Sequence, residues 1–319
     1  SDAGNHKIHE LDENGSLIRS FGSQGSGNGQ FNSPIEIAIG PNNRIYVADS
    51  NNHRIQILER NGTFVKAFGT NGTDDGQFNK PRGLAISSEN EVFVSEDGNH
   101  RIQVFDANGT FLRKWGSQGS LDGQLNRPLS LDIDDDGNVY VADYVNARIC
   151  VFSNNGDFKH KFSTEKWYGD SRVAAHVKIL ANGLLGTGGE RGRDFDMLRL
   201  REKDGSLVKD LVFYQHSGGT WSPFDQFPDG RLVFVSRKLK KIYILDQTYR
   251  SIRPNPSKDA PLPEVISVTQ PAGTNHLEVK YRITDADSAK VKAGLLAFKD
   301  GGNDLTKVIV PKTFVGSVA

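Results

Sequence analysis

Short apolar runs separated by polar, glycine-rich segments recur along the first half of the chain. Each run has four to six residues that are β-branched, aromatic or alternate with polar ones, a pattern typical of β-strands. In one unit the runs lie at 35–39, 45–49, 55–58 and 63–68. They predict four short antiparallel strands, and the Asn61-Gly62 pair predicts a two-residue hairpin turn with positive φ.

The unit repeats with a period of 47 residues. A proline, an acidic residue, an arginine and a glycine keep this spacing: Pro34, Pro81 and Pro128; Asp49, Glu96 and Asp143; Arg54, Arg101 and Arg148; Gly62, Gly109 and Gly156. Four hairpin-connected strands per unit are typical of a β-propeller blade. Degenerate units at 175–205 and 224–245 predict a fourth and a fifth blade, and residues 5–15 match the second half of a unit.

We therefore predict an all-β fold, with a β-propeller over residues 1–252 that holds about five and a half blades of a six-bladed ring. We expect the chain to be truncated at its N-terminus. Residues 253–263 contain four prolines and predict a stiff linker. Alternating runs at 264–269 and 277–283, and further runs at 295–298 and 308–310, predict the truncated start of an immunoglobulin-like β-sandwich over 264–319.

Composition narrows the function classes. Lys and Arg total 39, as do Asp and Glu, so the net charge is near zero, and we expect no nucleic-acid partner. RNA binding would require the basic cluster at 237–241 to form part of a patch. No run of about 18 apolar residues is present, so we predict no membrane span. The single cysteine, Cys150, lies in an apolar run and is predicted to be buried.

The unit resembles the NHL repeat, with Pro-x-x-Ile/Leu-x-Ile, then Tyr/Phe-Val-x-Asp/Glu, then Asn-His-Arg-Ile-Gln and Asn-Gly-x-Phe. The resemblance is strong over residues 1–162 and weaker to 252. It implies a propeller with a central channel and two faces. A propeller followed by a linker and a sandwich resembles bacterial secreted or envelope proteins, so we expect a secreted or cell-envelope location.

Candidate ligand-binding residues lie where the first strands begin. Glu36, Arg82, Ser130 and His176 fall near equivalent positions of successive units but differ in chemistry. Because the repeat does not conserve them, its structure places little demand on these positions. We predict a ligand site at the channel mouth formed by these four residues, with solvated rim residues as the alternative.

The repeated polar residues are predicted to be structural. We expect Asp49, Glu96 and Asp143 to pair with Arg54, Arg101 and Arg148, five residues further on. His6, His53 and His100 also repeat, but they lie on separate blades and are not expected to share a metal ion. The Asp-x-Asp-x-Asp-Gly pattern at 132–137 is shared with calcium loops, yet the repeat places it across a strand and a turn.

Similar propellers include amidating lyases and lactonases. In the lyases, a zinc-binding histidine follows the proline that opens the first strand, and the matching residues here are Ile35, Arg82 and Leu129. We therefore predict no catalytic residue, metal or cofactor. The favoured function is a non-catalytic binding or scaffold propeller that recognises a protein, peptide or glycan through its loop face. The alternative is a metal-dependent hydrolase or lyase at the channel mouth.

Overall fold

A computed structural model describes residues 1–12, 16–164, 174–190, 195–214, 224–226, 231–236, 241–245, 264–269 and 278–282. The chain divides into two compact units, residues 1–252 and 253–319. Apart from two 3-10 turns, Pro41–Asn43 and Ser50–Asn52, the regular structure of the described residues is all β. None of their helices is long and apolar enough to cross a bilayer.

Four complete four-stranded antiparallel sheets follow one another along residues 34–214 of the first unit. Their strands follow one another in sequence order, so each sheet is a simple meander. The strands of the first two sheets are β3 (Pro34–Ile39), β4 (Ile45–Asp49), β5 (Arg54–Leu58), β6 (Phe64–Phe68), β7 (Pro81–Ile86), β8 (Val92–Glu96), β9 (Arg101–Phe105) and β10 (Phe111–Trp115). The strands of the next two are β11 (Pro128–Ile133), β12 (Val139–Asp143), β13 (Arg148–Phe152), β14 (Phe158–Ser163), β15 (Ala174–Ile179), β16 (Leu185–Glu190), β17 (Phe195–Arg201) and β18 (Leu207–Tyr214).

Smaller sheets precede and follow these four. A two-stranded sheet comes first, β1 (Ile8–Leu11) with β2 (Leu17–Phe21). A three-stranded sheet comes last, formed by β19 (Phe224–Gln226), β20 (Leu232–Ser236) and β21 (Lys241–Leu245). The described residues therefore show four complete blades, which we number 1 to 4 from β3 onward. Of the predicted five and a half blades, four are therefore shown as complete sheets, and the six-bladed ring stays a prediction.

The second unit contains one described antiparallel pair, β22 (Glu264–Thr269) with β23 (Glu278–Arg282). The linker predicted at 253–263 and the strands predicted at 295–298 and 308–310 lie outside the described residues. The immunoglobulin-like sandwich thus stays a prediction.

The hairpins between the third and fourth strands differ from the predicted two-residue turns. In blade 1, the Gly62 amide donates to the Glu59 carbonyl and the Glu59 amide to the Thr63 carbonyl. Gly62 has a φ of 90°, whereas Asn61 does not have positive φ, and the register shifts between Ile57 and Leu58. This is a four-residue turn followed by a glycine bulge, which needs only one left-handed residue instead of two.

Aromatic residues pack successive blades together. Phe68 on the outer strand of blade 1 contacts Phe78 and Phe105 of blade 2, with ring centroids 6.2 and 4.9 Å apart. Trp115 of blade 2 contacts Phe152 of blade 3 in the same way, at 5.9 Å. Because each blade covers the apolar face of the next, the sheets are held at a fixed spacing around the ring.

Candidate functional site

The first strands of the blades lie innermost. Neighbouring sheets contact each other mainly through these strands: β3 contacts β7, β7 contacts β11, β11 contacts β15, and β15 contacts β19. Strands that converge in this way line the central channel of a propeller. Side chains on one side of these strands therefore have the best opportunity to meet at a common site.

The inner strands place residues at equivalent positions in two tiers. The upper tier consists of the residues three positions before the last residue of each inner strand, β3, β7, β11 and β15. These residues are Glu36, Gly83, Ser130 and His176. Positions one residue before the strand ends form the lower tier: Ala38, Ala85, Asp132, Lys178 and, on β19, Asp225. The two tiers are two residues apart, so they share one side of each strand.

In the upper tier, Glu36 and Ser130 meet although their blades are not neighbours. The Ser130 hydroxyl lies 3.4 Å from Glu36 Oε1, and the strand between them, β7, carries Gly83 at this level. His176 places Nε2 2.8 Å from the Phe224 carbonyl oxygen. A carbonyl only accepts, so a neutral His176 carries its proton on Nε2 and keeps a lone pair on Nδ1.

In the lower tier, one lysine forms ion pairs with two carboxylates. Lys178 Nζ lies 3.5 Å from Asp132 and 3.6 Å from Asp225. Asp132 also accepts a hydrogen bond of 2.8 Å from the Ile179 amide. We call Glu36, Ser130, Asp132, His176, Lys178 and Asp225 the axial cluster.

Protonation in the axial cluster is strongly perturbed. Burial raises the pKa of Glu36 well above its ordinary value, and repulsion from Asp132 and Asp225 adds to this, against the attraction of Lys178. Burial also raises the pKa of Asp132 and lowers that of His176 to about 4. Although burial opposes it, the charges of Asp132 and Asp225 raise the pKa of Lys178 to about 12. Lys178 is therefore charged and His176 neutral at neutral pH.

Arg82, the fourth residue predicted for the channel mouth, belongs to a different group. It lies one residue before Gly83, in the part of β7 where the register with β8 shifts. Arg82 Nε pairs with Asp97 at 3.1 Å, and Arg127 pairs with the same carboxylate at 2.6 Å. The structure thus brings Glu36 together with Ser130, places His176 in the same tier, and pairs Arg82 with Asp97.

Sequence reasoning missed the lower tier. Asp132 was considered only as part of a calcium-like pattern, and Lys178 and Asp225 were not singled out. A signal was present, because these residues lie two positions beyond the upper tier, on the same side of their strands.

Gly83 allows β7 and β11 to approach closely. A Cβ atom at this position would lie 2.7 Å from the Leu129 carbonyl oxygen and 2.7 Å from Ser95 Oγ. Ser95 fills this space by accepting from the Gly83 amide at 2.8 Å and donating to the Leu129 carbonyl at 2.9 Å. The equivalent residues of blades 1 and 3 are Ala48 and Ala142, so the Gly83–Ser95 pair is particular to blade 2.

Gly83→Ala is expected to destabilise the protein by about 1–3 kcal/mol, because the new methyl group collides with backbone atoms of blade 3. Thermal unfolding of the full chain followed by circular dichroism measures the loss. Gly4→Ala is the glycine control, because a Cβ atom at Gly4 would contact only Asp2 Oδ1, at 3.7 Å, and Gly4 does not have positive φ. If Gly83→Ala unfolds at the wild-type temperature, the close approach of the two strands is wrong.

The repeated acidic residues form buried hubs between the glycine-rich loops and the hairpins. Glu96 is fully buried and pairs with Arg101 Nε at 2.5 Å, while Asp49 pairs with Arg54 at 2.9 Å and Asp143 with Arg148 at 2.7 Å. Each arginine also donates to carbonyl groups of the preceding loop. The predicted pairs thus lie within ion-pair distance, where they hold the loop face in place.

The repeated histidines link neighbouring blades. Nδ1 of His53 accepts from the Lys80 amide at 3.3 Å, and His100 accepts from the Arg127 amide at 3.0 Å. Asp134 of the calcium-like pattern accepts from Asn138 within its own turn and pairs with Lys203 at 2.9 Å. Within the described ranges, no group of three or more His, Cys, Asp or Glu is arranged to hold a metal ion.

The loop face consists of the loops that lead into the first strands (22–33, 69–80 and 116–127) and those that join the second and third strands (49–54, 96–101 and 143–148). Blade 3 exposes apolar side chains on this face. Leu121 is 70% exposed and Val145 is 49% exposed. Their two loops are joined because Arg148 donates to the Leu121 carbonyl at 3.1 Å and the Val145 amide donates to the Asn126 carbonyl at 3.1 Å.

The neighbouring Tyr144 extends this surface toward blade 2. The Arg127 guanidinium lies over its ring, 5.8 Å from the centroid, and Arg127 also pairs with Asp97. At the positions of Leu121, Tyr144 and Val145, the other blades carry polar or small residues: Asp74, Asp97 and Gly98 in blade 2, and Gly27, Ser50 and Asn51 in blade 1. We call Leu121, Tyr144 and Val145 the loop patch.

The architecture defines this protein as a β-propeller with hairpin-connected blades whose first strands lie next to each other. Three of its blades contain NHL repeats: the NHL repeat family matches residues 31–58, 78–105 and 125–152, in blades 1 to 3. No curated protein matches the chain.

Solved structures of low sequence identity share the fold. A streptogramin B lyase is 12% identical with a TM-score of 0.53, and the alignment covers 77% of this chain and 78% of the lyase. A protein of unknown function from Bacteroides caccae is 11% identical with a TM-score of 0.57, covering 79% and 90%. A catalytically inactive virginiamycin B lyase from Staphylococcus aureus with quinupristin is 10% identical with a TM-score of 0.50, covering 88% and 86%. At these identities the similarity establishes the fold alone.

Proposed function

We propose that this propeller is a non-catalytic binding module that recognises a protein or peptide through the loop face of blade 3. One observation carries the proposal: the loop patch exposes Leu121 and Val145 beside the partly buried Tyr144, at positions where blades 1 and 2 have polar residues or glycine. Exposed apolar side chains next to tyrosine and arginine are typical of the centre of a protein interface.

The surroundings of the loop patch favour a polypeptide over a glycan. Arg127 and Arg82 meet at Asp97 beside the patch, which supplies charged hydrogen-bonding groups at its edge. The buried hubs under the loops hold the backbone in one conformation, so little conformational entropy is lost when a partner binds. A preorganised apolar patch with a polar edge suits a peptide segment that carries a large apolar side chain.

The test replaces the loop patch with the residues of blade 2. The triple variant Leu121→Asp, Tyr144→Asp, Val145→Gly carries side chains that the repeat already accepts at these positions. A random peptide phage library is selected on the wild-type protein, and the enriched peptides are titrated calorimetrically against both proteins. We expect affinity for the triple variant to be at least about tenfold weaker, the typical effect of losing interface anchor residues.

A double variant on the outer strand β2, Leu17→Ser with Ile18→Ser, is the matched control. Leu17 and Ile18 are 60% and 54% exposed, so the control removes similar apolar area outside the loop face. Selected peptides should bind the control as they bind the wild type. Enriched peptides that bind the triple variant equally well would argue against the proposal.

The second candidate is a metal-dependent hydrolase or lyase at the channel mouth. The clustering of Glu36, Asp132 and His176, all with shifted pKa values, favours it because such clusters occur at catalytic sites. The described residues fit a metal poorly, since the ammonium group of Lys178 already lies between Asp132 and Asp225. Metal analysis of the purified full-length protein separates the candidates: one bound ion per chain, lost in Glu36→Gln, would favour the enzyme.

A ring of six blades, an immunoglobulin-like second unit, and a bacterial, secreted or cell-envelope origin are also part of the proposal. They are supported by the 47-residue repeat, the alternating runs of the C-terminal region and the resemblance to bacterial proteins of this layout.

A further inference from the structure

We propose that the axial cluster binds the primary ammonium group of an amine ligand, with Glu36, Ser130 and His176 as its three hydrogen-bond acceptors. The axial cluster lies on the inner strands, whereas the loop patch lies on the loops of blade 3. The inference therefore adds a second site to the proposed binding function and does not depend on it.

The upper tier offers acceptors that match the donors of an ammonium group. Glu36, Ser130 and His176 occupy equivalent positions on three inner strands, and the Ser130 hydroxyl is 3.4 Å from the Glu36 carboxylate. His176 donates from Nε2 to the Phe224 carbonyl, which leaves Nδ1 as an acceptor. A primary ammonium has three N–H donors and no acceptor, so a carboxylate, a hydroxyl and an imidazole nitrogen can satisfy all of them.

The charge balance of the axial cluster favours one more cation. It contains three carboxyl groups, on Glu36, Asp132 and Asp225, and one ammonium group, on Lys178. Lys178 lies between Asp132 and Asp225, and no salt bridge among the described residues reaches Glu36. Burial raises the pKa of Glu36 because it disfavours the ionised carboxylate, and a ligand cation beside Glu36 would stabilise that ionised form.

The donor set points to an organic cation rather than a metal ion. Calcium and magnesium require six or more oxygen ligands, whereas here a hydroxyl and an imidazole accompany one carboxylate in the upper tier. The repeat itself does not require these acceptors, because blade 2 has Gly83 at the same position. A blade can therefore form without these acceptor side chains, and binding of a ligand would explain their presence.

Amine binding should depend on pH in a defined direction. Burial raises the pKa of Glu36, so its carboxyl group holds a proton to a higher pH than usual. A bound ammonium competes with that proton, and the neighbouring groups that influence Glu36 are Lys178, Asp132, Asp225 and Ser130. Affinity for an amine should therefore increase as the pH rises through the pKa of Glu36, while His176 stays neutral.

The experiment is calorimetric titration of the full chain with n-butylammonium chloride, with 1-butanol as an uncharged ligand of the same length and with magnesium chloride. We expect binding of n-butylammonium only. Its affinity should increase by at most about tenfold per pH unit as the pH rises toward the raised pKa of Glu36, the limit set by one linked proton. Glu36→Gln should weaken binding by about tenfold and remove the pH dependence, because it loses a charge-assisted hydrogen bond.

Glu59→Gln is the matched control, because Glu59 is an exposed partner of Arg44 away from the inner strands. It should bind n-butylammonium as the wild type does, and so should the loop-patch triple variant. If Glu36→Gln has lost the β-sheet circular dichroism spectrum, Ser130→Ala replaces it, with an expected loss of about threefold from one neutral hydrogen bond.

Three results would overturn the inference: equal binding of 1-butanol, preferential binding of magnesium, or unchanged affinity in the folded Glu36 variant (or in Ser130→Ala if that variant replaces it). None of these results bears on the loop patch. Conversely, peptides that fail to distinguish the loop-patch variant leave the amine titration unaffected, so the two proposals fail separately.

Discussion

Replacing Glu96 with alanine is expected to lower the free energy of unfolding by about 3–5 kcal/mol, the usual effect of leaving a buried cation without its partner. Glu96 is fully buried and accepts from the Asn79 amide at 2.9 Å, from Asn99 at 2.6 Å, from Arg101 at 2.5 Å and from Gln103 at 2.8 Å. Alanine removes all four acceptor contacts at once, and Arg101 is itself only 8% exposed. Urea denaturation of the full chain, followed by circular dichroism, measures the loss.

The repeat provides the control for Glu96. Blades 1 and 3 use an aspartate at this position, and Asp49 makes the same set of contacts with Asn32, Asn52, Arg54 and Gln56. Glu96→Asp should therefore cost only about 1 kcal/mol, as a shorter carboxylate still satisfies most partners. Equal losses in the aspartate and alanine variants would show that the length of the side chain, rather than its charge, stabilises the hub.

Phe105→Ala is expected to cost about 3–5 kcal/mol, because it removes a large buried ring and leaves a cavity. Phe105 is 1% exposed and contacts Phe68 of blade 1 at 4.9 Å, Phe78 at 5.3 Å and Phe111 at 6.0 Å between ring centroids. One of these contacts joins two blades, so the substitution weakens the ring as well as the sheet. The same denaturation experiment measures it.

Phe105→Leu is the matched variant, since Leu58 fills the equivalent position of blade 1 and is fully buried there. We expect it to cost less than about 1.5 kcal/mol, as hydrophobic substitutions of similar size usually do. A leucine variant as unstable as the alanine variant would mean that blade 2 requires the aromatic ring itself.

The loop face is important both for the stability of the blades and for the proposed peptide binding. The hubs of Asp49, Glu96 and Asp143 fix the backbone of the glycine-rich loops, and the loop patch is carried by two loops that Arg148 connects. Loss of a hub should therefore reduce peptide affinity as well as stability, whereas the axial cluster is held by the inner strands.

The sequence by itself determined the strands, the blade period and which repeated residues pair with each other. These features depend on local periodicity and on interactions that recur every 47 residues, so a single unit contains the information for all of them. The pairing of Asp49 with Arg54 was predictable because both residues flank one hairpin. The turn at Asn61-Gly62 was predicted in place but not in type, since bulge and primed turns use the same residues.

Only the tertiary structure decided the composition of the axial cluster. Glu36 and Ser130 are 94 residues apart and meet because Gly83 leaves room between their strands. The sequence places Arg82 near the equivalent position of blade 2, yet the residue at that position is Gly83, and Arg82 pairs with Asp97. Lys178 and Asp225 lie close to each other only because their separate blades converge on one axis. The pattern of residues along the chain does not specify which residues of different blades contact each other.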